Sequence, residues 1–175
     1  MKPIQLFCIA FALLLWNCAN KSTDDIAVNV SISESLNTES LDGRLLLMFA
    51  DNDEQEPRFQ VTEGLNAQPV FGINVESFSS DNTMQFNNEA FGFPYKNLSQ
   101  IKPGDYYVQA LLHTYETFNL STGHQVKLPM DNGEGQRWRI SPGNLYSIPK
   151  KITITEQGIE NFDIVLDQML SLIHI

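Results

Sequence analysis

The chain has 175 residues, 21 acidic against 11 basic side chains, and a formal net charge of −10. That balance excludes a nucleic-acid binder, which needs a clustered basic face to meet phosphates. A hydrophobic share of 42% with 10% aromatics excludes intrinsic disorder and leaves a folded domain of ordinary size.

Met1-Lys2 supplies a short positive region, and Ile4 to Trp16 is then almost wholly apolar. A transmembrane helix needs ~20 residues, so this run is too short to span and suits the core of an export signal. Residues 1–17 are read as that signal, 18–25 as a polar tether and 26–169 as the folded domain. Cys8 leaves with the signal, and no cysteine follows Cys18. Disulfides, thiol catalysis and cysteine-based zinc sites are thereby excluded from the mature domain. Removing the signal takes away Lys2 and no acid, which brings the net charge of the mature segment to −11.

Cys18 at the end of a signal core resembles a bacterial lipoprotein signal, in which that cysteine becomes the lipidated first residue. Leu15 matches the usual first position of the motif, while Trp16 and Asn17 are bulkier than its usual small residues. Relaxed versions occur in Bacteroidetes-type bacteria, where a lysine and acids like Lys21, Asp24 and Asp25 accompany export to the cell surface. The resemblance implies a lipid anchor on Cys18 and a membrane partner. It also implies a place in the cell envelope, at the outer membrane or in the periplasm, with the surface as one destination. Several acyl chains would hold the protein stably, at ~0.8 kcal/mol per buried methylene. Cleavage after a small residue and plain secretion is the alternative.

Along the domain, Ile26 to Ser33 alternates apolar and polar residues, the pattern of a half-buried strand. Glu34 to Asp42 is a polar loop. Gly43 to Ala50 is a continuous apolar run, short enough for a strand buried on both faces. Asp51 to Arg58 reads as an acidic turn closed by Pro57. Val70 to Phe78 is an alternating strand, Thr83 to Phe86 a short one, and Asn97 to Ile101 one helical turn. Tyr106 to Tyr115 is the strongest strand signal, rich in aromatic and apolar residues. His124 to Leu128 alternates again, Leu145 to Ile148 leads through Pro149 into Lys151 to Thr155, and Phe162 to Asp167 closes the set. Eight or nine short strands with Gly/Pro/Asn-rich turns and no amphipathic helix predict an all-β fold. The architecture expected is an antiparallel β-sandwich of the immunoglobulin-like kind.

The last six residues, Leu170-Ser171-Leu172-Ile173-His174-Ile175, resemble the translation of a transposon-end sequencing adapter. Segment 170–175 is therefore read as a scar, with the natural protein expected to continue beyond Met169. A genuine apolar terminal strand is the alternative.

Motifs for catalysis are sparse. No Gly-x-Ser-x-Gly elbow, His-Glu-x-x-His or phosphate-cradling glycine loop occurs. Ser147-Ile148-Pro149-Lys150 matches Ser-x-x-Lys, yet Pro149 disfavours the helical turn such a pair needs. Asp51-Asn52-Asp53-Glu54-Gln55-Glu56 is acid-dense but lacks the glycine and terminal bidentate glutamate of a helix-flanked calcium loop, so it reads as a solvated turn. No metal or cofactor is expected. The stretch from Asp131 to Tyr146 is the most unusual, because long loops carrying Trp and Arg often make contacts. Asp131, Arg137, Trp138, Asn144 and Tyr146 are the candidates there. His113, Tyr115, Glu116 and Phe118 near the end of the strongest strand are candidates for the same face.

The pieces Glu56-Pro57-Arg58, Phe71-Gly72-Ile73-Asn74-Val75 and Pro103 to Leu111 occur in order. They continue with Tyr115-Glu116-Thr117-Phe118, Gly123-His124, Met130-Asp131, Gly135-Gln136 and Ser141 to Ser147. Together they cover roughly 43–167. This pattern resembles the amino-terminal β-rich domain of secreted bacterial esterases related to enterochelin-esterase-like α/β-hydrolases. The resemblance implies a hydrolase domain after this segment and an ester substrate for the whole protein. It carries over no catalytic residue, since none of the family's catalytic positions lies here. A stand-alone cell-surface module that binds a glycan or a protein is the competing expectation. A calcium-stapled structural sandwich is a third.

Overall fold

The computed structural model describes residues 26–36, 38–64, 66–129 and 137–171. Cys18, Asp131 and the apolar signal therefore lie outside the described residues. Among those described, the strands are β1 (Val28–Ile32), β2 (Leu41–Ala50), β3 (Val70–Phe78), β4 (Thr83–Phe86), β5 (Phe91–Phe93) and β6 (Gly104–Asn119). They continue with β7 (Gln125–Pro129), β8 (Leu145–Tyr146), β9 (Lys150–Ile154), β10 (Phe162–Leu166) and β11 (Gln168–Met169). A single turn of α-helix, α1 (Pro57–Gln60), follows β2. Proline opens it because a fixed φ and a missing N–H cost nothing at a first helical position.

The strands form two sheets, a small one ordered β10-β1-β4 and a large one ordered β11-β8-β6-β2-β3-β5. The result is an all-β sandwich. All pairings are antiparallel except β1 with β10, which run parallel from Val28↔Phe162 to Ile32↔Leu166. That exception has a simple cause. Short hairpins force antiparallel neighbours, whereas β1 and β10 come from opposite ends of the domain and no short turn constrains them.

The core lies between the sheets. Leu45, Leu47 and Phe49 of β2, Phe71 and Val75 of β3, and Val108, Ala110 and Leu112 of β6 meet Val28, Val30, Ile32, Phe86, Ile164 and Leu166 of the small sheet. The alternation seen in β1 and β3 is the inward half of this packing. Each fully buried Phe or Leu contributes roughly 1.5–3 kcal/mol. The Phe49 ring meets those of Phe71 and Tyr106 edge-on, at 6.0 and 6.2 Å between centroids.

β6 is the axis of the large sheet. One edge pairs with β2 from Tyr107 to Tyr115. The other edge pairs in succession with β9, β8 and β7. The short strands β5 and β11 have no counterpart in the sequence pattern, because two or three residues are too few to display a period. Leu170 extends the β11–β8 edge, its N–H donating to the Asn144 carbonyl and its own carbonyl accepting from Gly143, both at 2.9 Å. No helix among the described residues is long and apolar enough to cross a membrane.

Candidate functional site

The large sheet has a second, outer face. Pleating sends Leu46, Met48 and Ala50 of β2 and Gln109, Leu111 and His113 of β6 away from the sandwich core. Met48 lies in register with Gln109, Leu46 with Leu111 and Arg44 with His113. An apolar strand thus runs beside one whose outward side is partly polar, and α1 with the 137–147 segment covers the pair.

Arg58 of α1 organises this cover. It is only 6% exposed. Its backbone N–H donates to Gln109 Oε1 at 3.1 Å. Its Nε sits 2.9 Å from Glu56 Oε2, an ion pair off the hydrogen-bonding direction, while Nη2 donates to Glu56 Oε1 at 3.4 Å. Nη1 reaches the Arg139 carbonyl at 3.4 Å. The guanidinium lies 4.1 Å from the Tyr146 ring centroid and 4.7 Å from that of Phe59. A planar cation with five donors suits such a site, where an ammonium would not.

Gln109 is wholly buried and ties the cover to the sheet. Its Nε2 donates to Glu56 Oε2 at 2.7 Å and to the Ser147 carbonyl at 2.9 Å. Ser147 breaks the β-ladder in a productive way. Its N–H donates to the Ala110 carbonyl at 2.9 Å, and its Oγ accepts from the Ala110 N–H at 3.0 Å. The Ser147 carbonyl is thereby released to Gln109. Pro149 just beyond cannot donate to a ladder, and β8 and β9 are separate strands for that reason.

Asn144 does for the loop what Gln109 does for α1. Its Oδ1 accepts from the Thr114 N–H at 3.0 Å and its Nδ2 donates to the Trp138 carbonyl at 2.7 Å. The Arg137 carbonyl accepts from the Ile140 and Ser141 amides, both at 2.9 Å, and from Ser141 Oγ at 3.0 Å. Arg139 lies 5.0 Å from the Trp138 ring centroid and donates to the Val61 carbonyl at 2.7 Å. The described part of the predicted long connection, residues 137–146, is therefore folded onto its own sheet.

The sequence candidates divide. Asn144, Tyr146, Trp138 and Arg137 belong to this cover. His113 and Tyr115 share the outer face further along β6 and meet edge-on at 5.5 Å. Gly43 sits opposite, where a Cβ would strike the His113 carbonyl, so β2 approaches β6 there only as glycine. Glu116, in register with Leu128, is exposed on the opposite side of the pleat from His113 and Tyr115. Arg58 and Gln109 were not singled out from sequence as site residues, and Ser147 was weighed only within the Ser-x-x-Lys match. The available signal was Gln109, a polar residue inside the apolar run Val108 to Leu112.

The Ser-x-x-Lys match forms no catalytic pair. Ser147 Oγ is engaged at Ala110, and Lys150 Nζ donates to the Asp163 carbonyl at 3.3 Å and lies 5.5 Å from the Phe162 ring centroid. Several side chains of the acidic turn bond within the domain. Asn52 Oδ1 accepts from the Glu54 N–H, Asp53 from the Tyr107 hydroxyl, and Glu56 pairs with Arg58. Among the described residues, no three His, Cys, Asp or Glu side chains converge as a metal site.

Around the cover the outer face carries exposed aromatics. Phe59 is 39% exposed, Phe91 75% and Phe93 46%. Phe91 and Phe93 share this face because they pair with Gly72 and Val70, which pair in turn with Leu46 and Met48. No family model, curated protein or solved structure matches the chain.

Proposed function

We propose that this chain is the non-catalytic β-sandwich of an envelope lipoprotein esterase, anchored through Cys18, and that its outer sheet face docks the hydrolase domain. One observation carries the reading. Three of the sequence pieces that resemble the esterase family, Glu56-Pro57-Arg58, the Gln109 stretch of β6 and Ser141 to Ser147, meet in one hydrogen-bonded cluster. A pattern spread over some ninety residues (56–147) is explained by one shared task, holding the outer cover in a defined shape. Phe59, Phe91 and Phe93 on the same face are the kind of exposed apolar groups that a packed domain would cover. β11 lies beside β8 with Met169 opposite Leu145, so a domain following Met169 would start next to Asn144 and Gly143 of the cover. The ester itself would be held and cleaved by that second domain.

Reading the parent gene past Met169 tests this directly. A Gly-x-Ser-x-Gly elbow with a later Asp and His is the expected result. A reading frame that closes within a few codons would remove the proposal.

A further inference from the structure

A recess lies at one end of the large sheet and shares no lining residue with the Arg58 cover. It opens between the end of β2, the approach to β3 and the start of β6. Its volume is about 470 Å³, and Asp51, Asn52, Asn66, Gln68, Tyr95 and Tyr106 line it. Small-molecule sites commonly span ~300–1,000 Å³. We propose that this recess binds one ring of a neutral sugar.

The chemistry of the lining selects that class. One carboxylate and three side-chain amides offer acceptors and donors in close alternation, which matches hydroxyls that each donate one hydrogen bond and accept others. Among the described residues, no Lys, Arg or His lines the recess, so an anionic ligand would meet Asp51 without compensation. A single carboxylate is too few for a bare divalent cation, which takes several oxygen ligands. The two tyrosines bring ring surface for the apolar C–H side of a pyranose and a hydroxyl at the rim.

Four of these groups are also held in place. Asp51 Oδ1 accepts from Gln68 Nε2 and from Asn52 Nδ2, both at 2.8 Å. Asp51 Oδ2 has no hydrogen-bond partner among the described residues and is left to a ligand. The Asn52 carbonyl accepts from Gln60 Nε2 at 3.2 Å, and Asn52 Oδ1 accepts from the Glu54 N–H at 3.1 Å. The Tyr106 hydroxyl donates to the Lys102 carbonyl at 3.0 Å, and its ring rests edge-on against the core residue Phe49. Burial, and then the neighbouring Tyr95 and Asp51, push the Tyr106 phenol up, so it stays protonated and keeps that bond at neutral pH. Side chains fixed beforehand lose less freedom when a ligand arrives. The site stands whether or not a hydrolase domain follows, because it shares no residue with the outer face.

Ligand-observed NMR titration of the purified chain tests it. The probes are the methyl glycosides of glucose, galactose, mannose, xylose and N-acetylglucosamine, with glucuronic acid as the charged comparison. At least one neutral probe should bind saturably below about 20 mM, and glucuronic acid at least ~10-fold more weakly than that probe. Asp51→Asn and Tyr95→Ala should each weaken the bound sugar by ~10-fold or more, and Glu156→Gln, on an exposed turn, should not. Asp51→Asn is isosteric and exposed, so it reports even where Tyr95→Ala unfolds. Absence of saturable binding by every neutral probe overturns the proposal. So does undiminished binding to Asp51→Asn, or tighter binding of glucuronic acid than of the neutral sugars.

Discussion

The two faces of the large sheet use opposite chemistry for burial. At the centre of the inner face Leu45, Leu47, Phe49, Val108, Ala110 and Leu112 meet the small sheet without a polar atom from their side chains. The outer face buries Arg58, Gln109, His113, Asn144 and Ser147. Non-directional packing stabilises the inner side, where a swap of similar volume is tolerated. The outer side depends on bonds of fixed direction, and a single missing partner leaves another group stranded. The contrast teaches that the inner face makes the sandwich stable, while the outer face gives one segment a single shape.

The largest effect should come from the inner face. Phe49→Ala removes a fully buried ring with two aromatic neighbours and should cost ~3–5 kcal/mol in urea denaturation. A loss under ~1 kcal/mol would show that Phe49 is not central to the core.

An intermediate effect is expected on the outer face. Gln109→Ala removes the acceptor of the Arg58 N–H and the donor to both Glu56 and Ser147, for a loss of about 1–3 kcal/mol. The sharper measurement is a double-mutant cycle. Arg58→Ala and Tyr146→Ala should couple by ~0.5 kcal/mol or more, since the guanidinium lies on the ring. Arg58→Ala and Phe49→Ala, on opposite faces, should add within ~0.5 kcal/mol. Strong coupling across the sheet would erase the distinction between the faces.

The smallest effect concerns the exposed end of the outer face. Asp42 accepts from the Ser77 N–H at 2.9 Å and lies 2.9 Å from Lys127 Nζ. The Ser77 amide, and then Lys127, hold the Asp42 carboxyl below the usual carboxylate range. Hydrogen bonds to Asp42 and then Glu76 push the Lys127 ammonium up. A lowered acid contributes stability that is present above its unfolded value of 3.8 and is lost as pH falls through the lower folded value. A raised base contributes below its unfolded value of 10.5 and loses that contribution as pH rises through the higher folded value. Asp42→Asn should therefore narrow its gap from the parent protein under strongly acidic conditions, as Asp42 is protonated, and under strongly basic ones, as Lys127 loses its charge. Thermal melts of both proteins across pH check this, and a gap unchanged in acid would remove Asp42 as the cause. Screening keeps the effect small.

Much of the inner architecture was legible because a strand buried on one side writes its period into the residues. Val70–Phe78 coincides with the predicted strand, and Phe162–Leu166 differs from its prediction by one residue. The acidic stretch was legible as a turn, but its bonds to distant residues were not, nor were its last residues legible as α1. A four-residue helix has no period to read, and Arg58 looks like any surface charge until Gln109 and Tyr146 are brought to it. The loop from 137 to 147 was legible as unusual, through Trp138, Arg139 and Tyr146. Its docking on the sheet was not legible, because Asn144 and Ser147 act through partners some thirty residues away or more.

What the sequence determined alone was therefore the all-β sandwich, its main strands and the absence of cysteine after Cys18. All three follow from local period or from composition. The tertiary structure alone decided that β1 pairs parallel with β10, that Arg58 is buried, and that Asp51, Tyr95 and Tyr106 share one recess. Those outcomes depend on which distant segments meet. Pairing between chain ends and the meeting of loops carry no periodic trace in the residues, because hydrogen-bond direction and cavity shape arise only after the sheets have packed.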